Sequence, residues 1–358
     1  MSILSKYVCK NPFNYLDVQD NSSYICCPSW CNVDINKNNN SELGWNSTEL
    51  IEVQKSVLDG SYRFCDKNVC PSLNTLINNN KIPHNFVEKN EFLKYYSITS
   101  IDDIHKIKSY PEFILFGFDR SCNLNCPSCR RNLIPNDKEG SVEYRRKKEI
   151  LDKIESNFSK NAKILLITGS GDPFYSNIYR EYLQNFDETK YPLLDEIKII
   201  TNGNMLNKKL WDSLKSKKYI KSLEISIDAG TRETYEKVSR LNGRWDTLIK
   251  NLKFINTIDT IKFLQLSFVV NEYNFHEMNL FYNLMMDIFT NKNKRIEIVY
   301  RQHVFWESGI YSKSEVDSIK IFEPGHPRYG EFETEFNLLY RNPNVNHNFN
   351  HLVKKSIV

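Results

Sequence analysis

No cysteine follows Cys129 in this chain of 358 residues, although nine cysteines lie at or before that point. No apolar run approaches the roughly 18 residues that a membrane-spanning helix needs. The opening Met1-Ser2-Ile3-Leu4-Ser5-Lys6 lacks the apolar stretch of a signal peptide. Neither sign of charge dominates, since 48 lysines and arginines face 44 aspartates and glutamates for a net charge of +4. The broad positive field that draws nucleic acid is therefore missing. These absences point to a cytoplasmic protein that works with neither membrane nor nucleic acid. In a reducing compartment nine cysteines are poor candidates for disulfides, and an odd number cannot all pair, so metal ligation is the first reading. Core packing as small hydrophobes would scatter them along the chain, whereas here they are clustered.

The length allows one large domain and a smaller one. Residues 1–100 read as loop-rich, with Asn-rich runs at 36–40 and 78–80. Within them, residues 16–19 and 23–26 read as two strands of a hairpin around Asp20-Asn21. A polar helical stretch near 90–100 and the segment 102–111 lead into a different region. There, strand-like runs at 113–118, 163–168, Glu196–Thr201, 222–227, 262–270 and 295–300 alternate with amphipathic helical patterns. The fold class expected is α/β: a partial (β/α)6 barrel over residues 101–330, preceded by a small loop-rich module at 1–100 and followed by a C-terminal tail at 331–358. In parallel sheets ligands gather at the carboxyl ends of the strands, so the chemistry should follow them.

Directly after the first of these strands comes Cys122-Asn-Leu-Asn-Cys126-Pro-Ser-Cys129, a Cys-x3-Cys-x2-Cys array. Three thiolates fill three corners of a [4Fe–4S] cube and leave one iron open to an exogenous ligand. A structural zinc site would want a fourth protein ligand close by, and neither His nor Cys follows within reach.

The array and the turns after it resemble the radical S-adenosylmethionine (SAM) superfamily over about residues 112–300. The resemblance implies that Cys122, Cys126 and Cys129 hold a [4Fe–4S] cluster, that SAM binds its open iron, and that SAM cleavage yields a 5′-deoxyadenosyl radical which takes hydrogen from a substrate. Thr168-Gly169-Ser170-Gly171-Asp172-Pro173 is similar to the family's turn that holds SAM's ammonium group. Ser170 stands between the glycines and Asp172 where Glu is commoner, and both departures keep size or sign. Thr201-Asn202-Gly203 resembles the turn near the SAM ribose and methionine moiety. Ser226 and Arg240 fall where relatives with an auxiliary cluster bind SAM's carboxylate, Asp228 beside Ser226 is taken as a further SAM-side residue, and Val269-Val270-Asn271 falls where the family contacts adenine. Ser128 replaces the aromatic residue that many members place before the third cysteine. Arg130 and Arg131 read as solvated loop residues.

The front cysteines, Cys9, the Cys26-Cys27 pair, Cys65 and Cys70, resemble the auxiliary-cluster modules called SPASM and twitch, which in most relatives follow the barrel. The hairpin would bring Cys9 and the pair to one side, and Cys65-Asp-Lys-Asn-Val-Cys70 adds two thiolates on a tight loop. Either member of the pair fits as a ligand, and Cys31 has no assigned role. A zinc knot or a rubredoxin-like iron site also takes four cysteines. The resemblance to a complete SPASM module would imply two auxiliary clusters on about seven cysteines; six are present, so a single auxiliary [4Fe–4S] cluster is expected.

Such a cluster can accept the electron left after hydrogen abstraction. The resemblance therefore implies a net oxidative, maturase-like modification of a peptide, with oxidation or epimerisation of a sugar or aminocyclitol as the alternative. A cysteine-rich metal-binding scaffold without catalysis is the reading from another class. The enzyme reading implies a reductant such as flavodoxin or ferredoxin and a peptide or small-molecule substrate. His303, Phe305, Trp306, Tyr311 and His326 form an aromatic, His-rich stretch placed to line a substrate opening.

Overall fold

The computed structural model describes residues 2–79, 81–168 and 171–349. They form two compact units that do not follow chain order: one holds residues 1–119, 138–170 and 187–196, the other 120–137, 171–186 and 197–358.

The first unit contains β1 (Tyr7–Cys9), β2 (Tyr15–Val18), β3 (Ser23–Tyr24), β4 (Phe86–Glu88), β5 (Phe113–Phe116) and β6 (Ile164–Ile167). The hairpin expected around Asp20-Asn21 forms, with Asp17 opposite Tyr24 in an antiparallel β2–β3 pair. β2 then runs parallel to β5, Tyr15 opposite Phe113, and β5 runs parallel to β6. The compact units thus cut the chain elsewhere than at residue 100, because buried Leu16 and Val18 extend a sheet whose other members come after that point. The front segment is also more regular than its Asn-rich runs imply. Helices Thr48–Leu58 and Pro71–Asn79 pack Val57, Leu58, Leu73 and Leu76 against Val8 and Phe13 in a core of their own. Between β5 and β6 the helix Val142–Phe158 starts where the Ser141 side chain accepts from the Tyr144 amide, and it buries Ile150, Leu151, Ile154 and Phe158 along one face.

The second unit contains β7 (Glu196–Thr201) from its second residue on, β8 (Ile220–Ser226), β9 (Phe263–Val270), β10 (Arg295–Gln302) and β11 (Val345–His347), neighbours in that order and all parallel. Helices Lys208–Ser213, Trp245–Asn256, Met278–Ile288 and Tyr329–Asn337 make the crossovers. Phe268 on β9 stacks within 5.1 Å of Phe281 and 5.6 Å of Tyr300, whose hydroxyl donates to the Met278 carbonyl at 2.8 Å. The sheet is mostly parallel and alternates with helices, the α/β class expected. In the C-terminal stretch, residues 331–349 supply most of a helix and a further strand, in which Phe332, Phe336, Val345 and Phe349 are buried apolar side chains. Residues 350–358 lie outside the described residues.

Candidate metal centres

The loop after β5 is tied down on both sides of its cysteines. The Cys122 amide donates to the Ile134 carbonyl at 2.9 Å, and the Asn125 amide to the Leu241 carbonyl at 3.0 Å. Buried Leu124 pins the stretch between the first two cysteines. A tight turn follows, in which the Cys129 and Arg130 amides both donate to the Cys126 carbonyl, at 2.9 and 3.0 Å. Each sulfur faces a donor: the Leu124 amide reaches Cys122 Sγ at 3.4 Å, Arg240 Nη1 reaches Cys126 Sγ at 3.4 Å, and Arg130 Nη2 reaches Cys129 Sγ at 3.3 Å. Burial, then the charge of Asp172, pushes the Cys122 thiol up to about 12, with Arg130 opposing. Burial also raises Cys126, against the pull of Arg240.

Three sulfurs, two of them buried and Cys129 half-buried, with N–H donors aimed at them fit the donor set of a cluster with one open iron. Among the described residues no three His, Cys, Asp or Glu side chains converge on a single ion. A cubane sets its thiolates on separate irons, so it asks for a wider spacing than one ion does.

The SAM-side residues gather around this loop in two groups. Gly169 and Ser170 lie outside the described residues, and Gly171 opens the described part of that turn. Asp172 is buried, and its carboxylate is engaged within the protein: Oδ1 accepts from the Phe174 and Tyr175 amides at 3.0 and 3.2 Å, Oδ2 from the Thr201 hydroxyl and the Asn202 amide, both at 2.8 Å. Asn202 in turn donates to Asn123 Oδ1 at 2.9 Å and stands 3.8 Å from Cys122 Sγ. The second group starts where Ser226 ends β8 opposite Ser267. Asp228 pairs with Arg240 at 2.6 Å, and Arg240 reaches Cys126. A cleft beside the loop is lined by Ser128, Asp228, Val269, Asn271 and Tyr311.

Sequence reasoning missed Arg130. The signal was its place next to Cys129, inside a turn that folds it back onto the sulfurs. The stretch after β10 also docks on the cysteine loop. Ser308 Oγ donates to the Cys129 carbonyl at 2.6 Å, the Ile310 amide to Pro127 at 3.0 Å, and Arg131 Nε to the Gly309 carbonyl at 2.9 Å. Gly309 permits that approach, since a Cβ there would stand 3.2 Å from the carbonyl oxygens of Pro127 and Ser128. Val304, Phe305, Trp306 and Ile310 remain exposed on this segment. His303 is 1 % exposed with no hydrogen-bond partner for either ring nitrogen among the described residues, and its ring lies 5.7 Å from Tyr311. His326 stands apart from them, 3.8 Å from Glu272.

In the first unit, Cys9, Cys26, Cys65 and Cys70 line one cavity. Cys31, unassigned from sequence, joins them: the thiols of Cys26 and Cys65 both donate to its sulfur and, with the Val33 amide, hold it below the ordinary thiol value. Burial pushes Cys9 up to about 12, while Asn85 Nδ2 donates to its sulfur from 3.6 Å. Cys27 does not line the cavity. Its carbonyl instead accepts from the Trp30 and Cys31 amides at 2.9 and 3.2 Å, the turn that carries Cys31 inward. The structure therefore gathers Cys9, Cys26, Cys31, Cys65 and Cys70.

The sequence model of the radical SAM superfamily matches residues 118–285. Among solved structures, the chain is similar to a structure of TYW1 with a lysine-pyruvate adduct bound, at 17% sequence identity and a TM-score of 0.35. That match covers 55% of this chain and 64% of the other, less than two thirds of its length. No curated protein matches the chain. Among the described residues, no helix is long and apolar enough to cross a membrane.

Proposed function

We propose, from the match of residues 118–285 to the radical SAM superfamily, that this chain is a radical SAM enzyme that carries out a net oxidative modification of a peptide and holds a second [4Fe–4S] cluster on its front cysteines. A cluster with one open iron supplies, when bound, the electron that cleaves SAM and so generates a radical able to take hydrogen from a substrate.

The residues of this chain do the holding and shielding. Cys122, Cys126 and Cys129 supply three thiolates, and Arg130 and Arg240 balance their charge. Asp172 fixes the Thr201–Gly203 turn against the cysteine loop, so SAM contacts there fall to the backbone and to Asn202 rather than to the Asp172 carboxylate. The cleft lined by Ser128, Val269 and Asn271 is the proposed adenine side.

The single observation that carries the oxidative reading is the gathering of five sulfurs around one place in the front unit. Four of those sulfurs would hold a second cube, and that group would supply an acceptor for the second electron of a two-electron oxidation whose proton passes to solvent. The exposed apolar segment Val304, Phe305, Trp306 and Ile310, docked on the cysteine loop, supports a peptide with apolar side chains. A reductant of the flavodoxin or ferredoxin type would supply the first electron.

Anaerobic purification with iron and sulfide analysis tests the proposal, with about eight irons expected, four for each cube. Reduction in the presence of SAM should release 5′-deoxyadenosine, and Cys126→Ala should abolish it. Stoichiometric zinc without SAM cleavage would identify a non-catalytic scaffold. A peptide that leaves the reaction two hydrogens lighter by mass supports the substrate reading; turnover of sugars alone overturns it.

A further inference from the structure

Arg130 behaves unlike an ordinary loop arginine. Directly after the third cysteine of a polar loop it is only 6 % exposed, where charged residues are normally solvated. The turn that closes on the Cys126 carbonyl sends its side chain back, so that Nη1 donates to the Arg120 carbonyl at 3.0 Å and Nη2 to Cys129 Sγ at 3.3 Å. Its guanidinium also lies within electrostatic reach of Cys122 and Cys126. Burying a cation away from water is costly unless an anion answers it. An oxidised cube on three thiolates is a monoanion, and reduction makes it a dianion. A fixed cation and an N–H···S bond stabilise the dianion more, which raises the potential at which the electron enters.

On the reading that Cys122, Cys126 and Cys129 hold the SAM-binding cluster, we propose that Arg130 sets the reduction potential of that cluster through its bond to the Cys129 sulfur. Arg240 reaches Cys126 as well, and there it is paired with Asp228 at 2.6 Å. By raising that potential, Arg130 eases delivery of the electron from a cellular reductant.

The test is a potentiometric titration of the intact, cluster-loaded protein. It follows the electron paramagnetic resonance signal whose g values move on SAM addition. Arg130→Gln should lower the midpoint by at least 59 mV, the equivalent of a tenfold smaller reduced-to-oxidised ratio for one electron. Arg130→Lys keeps the charge, loses the fork and should fall part of the way. Arg131→Gln, next in sequence but bonded to the Gly309 carbonyl, should leave the midpoint unchanged. A wild-type midpoint in Arg130→Gln overturns the proposal, and an accompanying loss of SAM affinity would reassign Arg130 to SAM. If Arg130→Gln does not retain iron, the lysine variant decides: a lowered midpoint supports the proposal and an unchanged one overturns it. Absence of any SAM-responsive signal in the wild-type protein would instead strike at the cluster reading beneath it.

Discussion

Asp228 and Arg240 meet at 2.6 Å with side chains 5% and 12% exposed, just beyond the end of β8. Asp228 adopts a left-handed backbone, φ 60°, which Asp tolerates better than most residues. From that turn Oδ1 accepts from the Val269 amide at 2.8 Å, and the Asp228 carbonyl accepts from Ser239 Oγ and Asn274 Nδ2 at 2.9 and 3.1 Å. Burial pushes its carboxyl up while Arg240 pulls it down. The pair therefore joins the ends of β8 and β9 to the arginine that touches Cys126.

Removing one charge of this pair strands the other. Asp228→Asn keeps a residue suited to positive φ and leaves Arg240 buried without its anion, at an expected loss of about 3–5 kcal/mol in urea unfolding. Asp228→Asn combined with Arg240→Gln should cost clearly less than the sum of the two single changes. Additive losses would mean that the two side chains do not act as a pair.

The front cysteines separate by position. Cys27→Ser should retain the full iron content, because the structure uses the Cys27 carbonyl rather than its sulfur. Cys26→Ser, Cys31→Ser and Cys65→Ser should each lose about four irons, one cube. Iron and sulfide analysis of the four variants reads this directly, and iron loss confined to Cys27→Ser would reverse the assignment.

His303 predicts an acid-sensitive step in stability. Burial, then the charge of Lys320, holds it down to about 4 in the fold, against an ordinary value of about 6.5. The unfolded chain therefore takes up the proton first, so the contribution is present above about pH 6.5 and is lost as pH falls toward 4. Between pH 7 and pH 5 the loss should reach about 2 kcal/mol. His303→Phe should flatten that slope and, by replacing two unpartnered nitrogens with an apolar ring, raise stability at pH 5. Unfolding midpoints at the two pH values check it, and an unchanged slope would sink the idea.

Gly203 tests the turn after β7. Its φ is 78°, and a Cβ would stand 2.9 Å from Leu248 Cδ1 and 3.1 Å from Ile225 Cγ2. Gly203→Ala should cost about 1–2 kcal/mol. It should also slow SAM cleavage by displacing Asn202, which leans on Asn123 and Cys122. Wild-type stability and cleavage rate together would show the turn to be more pliant than its packing implies.

Much of the fold was legible in the chain because it follows from local pattern. Alternating apolar residues give β7 its burial rhythm, and the strand expected at 113–118 forms over Phe113–Phe116. The Asp20-Asn21 hairpin is likewise a short-range event. So is the cysteine array, whose three sulfurs sit within one loop and need only local turns to face the same way. What sequence could not show depends on partners far along the chain. β2 lies beside β5 in parallel register, a pairing that no spacing announces. The late strand β11 joins β10 only once Phe332, Phe336 and Phe349 find a core.

The same division runs through the sites. Residue types and spacing determined that Cys122, Cys126 and Cys129 belong together and that cysteines crowd the front of the chain. Only the tertiary structure decided that Asp172 turns its carboxylate to Thr201 and Asn202, that Cys31 rather than Cys27 joins Cys26 and Cys65, and that Arg130 is buried against Cys129. The physical reason is common to all three. A buried charge or sulfur is placed by whichever donors the fold brings to it, and those donors come from segments that the sequence holds far apart.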